Sequence, residues 1–478
     1  MPGLKPQVDT KNGPWRSPEL SERRALLALA LLLVLVKSIQ FAMDSQALFL
    51  ADSGAFILNG LRLAFVSFRS YVYGDLIRVF ALPFRSLRAI VAMQVVMGGF
   101  TAWLLAFALV RFFAVRPWIA MLAAMVFAFD PVQVLFEHMV MAETAAILAM
   151  AVYLVTALQY IRTRSLCWLA MLSLPGIVLV SLRTVYLPVV LAAAVLVPVL
   201  ACISLPERRL RLLAFALIVS CGSTLFFHVG YRHLTGRRGH REPAYHYWTG
   251  PFLLAAVSPI VEPGDASDFL VAKAVAAQNG SRIPLRFERR SEQLWDQDGL
   301  VARLGTVFSG NDRETDAAAQ SLARAAIYRN PLGYAGIGIL TWLHYWTGLR
   351  NLPRYMPREI GMQPPHLVDA NDAQVIASAF GADVSNQDTW RTLSRRYLML
   401  ARNWFVFLLM SPFLAGAVLR LNPANAKGAA LVFLWSILLL AATCFGTVGT
   451  LYRYLHPYSF MALAASAILC EKFWFLPD

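Results

Sequence analysis

The chain has 478 residues, 58% of them hydrophobic, with a mean hydropathy of +0.55, whereas soluble domains carry about 45–50% apolar residues; composition therefore excludes a soluble globular protein. A formal charge of +15 suits a nucleic-acid partner in isolation. However, Lys and Arg stand in short clusters between apolar runs and in large polar segments, which reads as topology and lipid-phosphate contact and excludes DNA binding.

Residues 1–22 are polar, hold Pro2, Pro6, Gly13, Pro14 and Pro18, and read as a flexible cytoplasmic tail. The run after Arg23 and Arg24 has no small-residue cleavage site behind it and reads as a retained signal anchor. A spanning helix needs about 17–25 apolar residues. Such runs fall at 24–43, 88–110, 116–131, 143–161, 166–182, 184–203, 210–229, 398–419, 428–447 and 455–473, giving an all-α polytopic membrane protein of ten spans. Eleven result if 332–349 also crosses; its four glycines and His344 favour an interfacial helix. Arg23 and Arg24, Arg111 and Arg116, Arg162 and Arg164, Arg208 to Arg211, Arg420 and Lys427 mark one side, which the positive-inside rule makes cytoplasmic. The division is then a transmembrane module over 23–229 with its first outer loop at 44–87, outer loops over 230–397, and C-terminal helices over 398–478. Arg- and Ala-rich usage with short inner loops suggests a bacterial inner membrane.

In the first outer loop Asp52, Asn59 and Arg62 are spaced seven and three residues apart and share one face of a helix whose remainder is apolar. That predicts an interfacial helix presenting a carboxylate at the lipid–water boundary, with a loop resting on lipid as the alternative. By this topology Asp44, Asp52, Arg69, Glu137, His138, Glu143, Arg183, Tyr452, Arg453, Tyr454 and His456 all converge on one membrane surface.

The order of these motifs resembles the GT-C membrane glycosyltransferases, of the protein mannosyltransferase or aminoarabinose transferase type. The resemblance lies in Ala51-Asp52-Ser53-Gly54, Phe68-Arg69-Ser70-Tyr71-Val72-Tyr73-Gly74, Ala142-Glu143, Ser181-Leu182-Arg183, Arg329-Asn330-Pro331 and Arg453-Tyr454-Leu455-His456-Pro457. It implies a GT-C fold and transfer of a hexosyl or pentosyl group from a polyprenyl-phosphate or pyrophosphate carrier. The acceptor would be a glycolipid, polysaccharide or protein on the periplasmic face, with membrane lipid as a further partner and no nucleic acid. Asp52 then acts as general base on the acceptor hydroxyl, with Glu143 as second acidic group. Arg69, Arg183 and Arg453 meet the carrier phosphate, and His138, Tyr452 and His456 help bind substrate. Where the superfamily commonly has an acidic pair or a proline, Ser53 and Ser70 stand here, which weighs against a metal-dependent version. No cofactor is implied: neither a Walker loop nor a dinucleotide fingerprint is present.

Each residue also has a structural reading. Glu143 opens a helix, where the macrodipole favours acidic groups. Arg183 and Arg453 suit lipid headgroups, and Lys37 suits snorkelling to the outer interface or pairing with Asp44. His228, His233, His240 and His246 match no metal-ligand spacing. The basic stretch Tyr231 to Arg241 fits an anionic acceptor or ordinary headgroups equally, and the five cysteines give no disulfide framework. A lipid-linked-sugar flippase and a structural envelope subunit are the rival classes. Charges at helix ends and the lack of a paired half weigh against transport.

Overall fold

A computed structural model describes residues 20–49, 52–62, 71–203, 209–239, 241–347, 370–381, 397, 404–450 and 452–474; the regular elements among them are helices, with one isolated bridge between Leu48 and Met139. The first half runs α1 (Leu20–Met43), α2 (Ser53–Arg62), α3 (Tyr71–Phe80), α4 (Arg88–Phe113), α5 (Pro117–Ala128), α6 (Pro131–His138), α7 (Glu143–Thr163), α8 (Leu166–Met171), α9 (Ser173–Leu182), α10 (Leu187–Cys202) and α11 (Arg209–Gly239). A second group is α12 (Thr249–Val257), α13 (Phe269–Asn279), α14 (Arg290–Trp295), α15 (Leu300–Val307), α16 (Asp312–Arg329) and α17 (Pro331–Thr347). The chain closes with α18 (Ala370–Phe380), α19 (Trp404–Leu409), α20 (Ser411–Leu421), α21 (Ala426–Phe445) and α22 (Tyr458–Trp474).

Among the described residues six helices are long and apolar enough to cross a membrane, seven if the bent pair α5 and α6 counts as one. This is consistent with a polytopic membrane protein. The most enclosed span is α7, whose Ala145, Ala146, Ala149, Ala151 and Ala157 are buried because small side chains let neighbouring helices close in. By contrast α1 and α11 keep Leu31, Val34, Ile218 and Phe226 exposed, as lipid-facing helices do.

At one end of the bundle Arg116 pairs with Glu471, Asn425 donates to the Phe112 carbonyl at 2.6 Å, and Lys427 donates to the Ala201 carbonyl at 2.9 Å. Of the residues singled out for chemistry, Glu143 opens α7, Arg183 closes α9 and Arg453 follows α21, at the opposite helix ends.

The second group closes a core of its own, in which Leu254, Val257, Val275, Leu300, Leu304 and Leu322 are buried. Arg329 ties its edge, 2.7 Å from Asp265 and 3.0 Å from Glu262. Burial pushes the Asp265 carboxyl up, but the Arg329 guanidinium and the Glu262 amide outweigh it and hold the group below its ordinary value. A depressed carboxyl stabilises the fold above its unfolded pKa, about 4, and that contribution is lost as the pH falls through the lower folded value. Asp265→Asn is expected to cost ~1 kcal/mol or less near neutrality, and the gap in melting temperature from wild type should close on acidification below about pH 4. A gap unchanged by acid would remove the ion pair as its source.

Several sequence expectations are corrected. The segment 130–143 is not an open loop: Asp130 caps α6, its Oδ1 accepting from Val132 N at 2.8 Å, with Pro131 in the first turn. Each is a helix-start signal, and every residue of α6 is buried. The break bends the chain by 50°. The predicted span 166–182 is present as an apolar helical stretch with those bounds, shorter than the six long helices and interrupted at Leu172, where α8 passes into α9. Of the predicted span 398–419, residues 398–403 lie outside the described residues and the rest forms α19 and α20.

The predicted helix after Asp52 exists as α2, with Arg62 on its polar face exposed and 2.8 Å from Asp372, but α3 packs on the middle of that face and buries Asn59. A Cβ on Gly74 would lie 2.4 Å from Asn59 Oδ1, and one on Gly60 would lie 2.6 Å from the Gly74 carbonyl, so two glycines permit the close crossing. Lys37 does not snorkel. It is buried and donates to both Glu137 oxygens, at 2.8 and 2.9 Å, and to the Ala128 carbonyl at the end of α5.

Candidate active site

The site is assembled by a short turn after α21. Tyr452–Tyr454 forms one 3₁₀ turn, and the residues after it lead through Pro457 into α22. Arg453 reaches back to Asp52, in the turn just before α2, with Nη1 3.3 Å from Oδ2. Arg183 ends α9 in extended conformation, φ −146° and ψ 101°, and its guanidinium donates to Oε1 of Glu143, the first residue of α7. The two guanidinium carbons lie 5.6 Å (Arg183) and 5.3 Å (Arg453) from the centre of the Tyr454 ring. One aromatic ring thus serves two cations, each with its own carboxylate.

Beside this cluster lies a cavity of about 800 Å³. Asp52, Arg183, Arg453 and Tyr454 supply its charged wall, while Phe252 and Leu253 of α12, Tyr334 of α17, and Leu438 and Phe445 of α21 supply apolar walls. Space of this size, mostly apolar with a few convergent polar groups, is what small-molecule sites use. The partly accessible Asp52 carboxylate is placed to accept a proton, and the guanidinium forks offer paired donors suited to a phosphate.

A smaller pocket of about 20 Å³ adjoins it, lined by Glu143, Arg183, Arg453, Tyr454 and His456 among others. His456 is buried, its Nε2 2.7 Å from Gln133 Oε1.

Of the residues singled out from sequence, the structure brings together Asp52, Glu143, Arg183, Arg453 and His456. His138 is set apart: its ring nitrogens lie 2.7 Å from the Val134 carbonyl and 2.8 Å from that of Asp44, tying the stretch after α1 to α6. Tyr452 opens the 3₁₀ turn. Arg69 lies outside the described residues.

Of the histidines grouped in sequence, His240 lies outside the described residues, while His228 bonds Tyr245 at 2.7 Å and His246 bonds Thr184 at 2.8 Å on the cavity wall. No group of three or more His, Cys, Asp or Glu that could hold a metal ion occurs among the described residues. Sequence reasoning missed Phe252, Tyr334 and His246 as cavity residues. Phe252 and Tyr334 come from the second group and His246 from the stretch before it, and none carries a local signal for the cavity. Tyr454 was legible as part of the Arg-Tyr-Leu-His-Pro run, but its place between two arginines was not.

No protein-family model matches the chain, and neither a search of curated proteins nor one of solved structures finds a similar protein.

Proposed function

We propose that this chain is an integral membrane glycosyltransferase of the GT-C type, transferring a sugar from a polyprenyl-phosphate carrier to an acceptor at the outer face of the bacterial inner membrane. The observation that carries this reading is the pairing of Asp52 with Arg453 and of Glu143 with Arg183 around Tyr454, which puts Asp52, Arg183, Arg453 and Tyr454 on the wall of a mostly apolar cavity. A lipid-linked sugar has the same division: a polar head with a phosphate, and an apolar tail.

In the proposed reaction the acceptor hydroxyl loses its proton to Asp52 as its oxygen attacks the anomeric carbon. The bond to the carrier phosphate breaks in the same displacement, with inversion, and Arg183 and Arg453 meet the charge that grows on the leaving phosphate. The proposed topology has ten spans with 332–349 interfacial and the amino terminus in the cytoplasm. It draws support from Arg116, paired with Glu471, and Lys427, bonded to the Ala201 carbonyl, neither of which lines the cavity.

The flippase reading draws on the broken helix at Asp130 and the buried Lys37–Glu137 pair, both common in transporters. One experiment separates them. Purified protein in nanodiscs, given radiolabelled sugar on polyprenyl phosphate and membrane extract as acceptor, should yield labelled product. Label that moves between leaflets of a proteoliposome, with no transfer to acceptor, would sink the transferase.

A further inference from the structure

The small pocket holds a feature that the displacement chemistry leaves unused. Its volume, about 20 Å³, suffices for one water-sized polar group. Glu143 lines it, and Glu143 Oε2 is buried with no hydrogen-bond partner, while Oε1 takes the Arg183 guanidinium. A buried acceptor left without a donor is unfavourable, so a polar hydrogen-bearing group that enters this pocket is favoured there.

His456 supplies a second acceptor. Lys37 donates to both oxygens of Glu137, and Gln133 Nε2 lies 2.9 Å from Glu137 Oε1. A carboxylate only accepts, so Gln133 turns its amide to Glu137 and its carbonyl to His456. The His456 Nε2 at 2.7 Å must then carry the ring's proton. The Phe136 ring, 4.9 Å from the imidazole, holds its plane. In the neutral ring Nδ1 is left as an acceptor. The buried chain Lys37–Glu137–Gln133 therefore fixes the tautomer of a histidine on the pocket wall.

We infer that this pocket is a hydroxyl-binding subsite, in which a hydroxyl group of the lipid-linked sugar donates to His456 Nδ1 beside the unfilled oxygen of Glu143. Gln133 is the positioning residue. The inference rests on the glycosyl-carrier reading of the large cavity, and it concerns binding alone.

The test uses the full chain in nanodiscs with ¹⁵N-labelled histidine, the His456 signal being assigned by its loss in His456→Asn and His456→Gln. The probes are bare undecaprenyl phosphate and the same lipid bearing glucose, mannose or arabinose. His456 should be protonated at Nε2 and free at Nδ1, and one of the sugar lipids should shift Nδ1 while the bare lipid does not. Asn places its carbonyl near the position of Nδ1, and Gln near that of Nε2. His456→Gln should therefore weaken binding of the responding sugar lipid about tenfold, as for one lost buried hydrogen bond. His456→Asn should weaken it far less, with bare lipid bound equally by all three proteins.

A proton on Nδ1, an Nδ1 unmoved by every sugar lipid, or an equal shift with bare lipid would overturn the inference, the last pointing to an ordered water only. The reverse ranking of the two variants, with matching loss of melting temperature, would reduce His456 to a structural role. Failure of sugar transfer with the Nδ1 shift intact would remove the transferase and leave the subsite standing.

Discussion

Asp52→Asn is expected to lower sugar transfer at least about 100-fold, the lower range for loss of a general base, while leaving the protein folded and able to bind the lipid-linked sugar. Asn has nearly the same shape and can still accept from Arg453 Nη1, now 3.3 Å from the carboxylate. The side chain is 16% exposed, so no dry cavity is opened. The change removes only the negative charge and the capacity to take a proton. Asp52→Asn with transfer within threefold of wild type would show that the base is another group, and Glu143 would be examined next. Arg453→Lys discriminates further: it keeps the charge, loses the fork, and should weaken carrier binding together with turnover.

The largest loss of stability is expected at Gly98. A Cβ there would sit 1.8 Å from Glu137 Oε1 and 2.6 Å from Gln133 Nε2, so even alanine displaces the carboxylate from Lys37. Breaking a buried pair costs about 3–5 kcal/mol because the remaining charge stays buried and unmatched. Gly98→Val should therefore melt far below wild type in detergent. Lys37→Met should behave alike, and Lys37→Met combined with Glu137→Gln should recover most of the loss, since no charge is then left. Additive losses in the double variant would rule out coupling through the pair.

Much of the architecture is legible in the sequence because a membrane span must satisfy its backbone internally, which forces long apolar runs. The runs that become α1, α4, α7, α10, α11 and α21 are of that kind. The segment of α6 is not, because its Gln133, Glu137 and His138 read as polar loop, yet all three are buried. Their polarity is matched by partners far away in the chain, Lys37 and His456 among them, and periodicity carries no trace of such pairing. Lys37 misleads for the same reason: a lone lysine near a span end resembles a snorkelling one until Gly98 is seen to leave room for Glu137.

At the site, sequence order singled out Asp52, Glu143, Arg183 and Arg453 as separate candidates. Which carboxylate meets which arginine was hidden, because 401 residues separate Asp52 from Arg453 and 40 separate Glu143 from Arg183.

The cavity lies where two separately closed cores meet, the bundle supplying the charged floor and α12 and α17 supplying apolar wall. Exchanging Phe252 or Tyr334 for a larger or smaller side chain reshapes the space without touching either ion pair. Mutation is thus free to drift in one partner of the boundary while the other is held constant, and a chimera that replaces 249–329 as a block would inherit the chemistry of the bundle with a new tolerance for what enters.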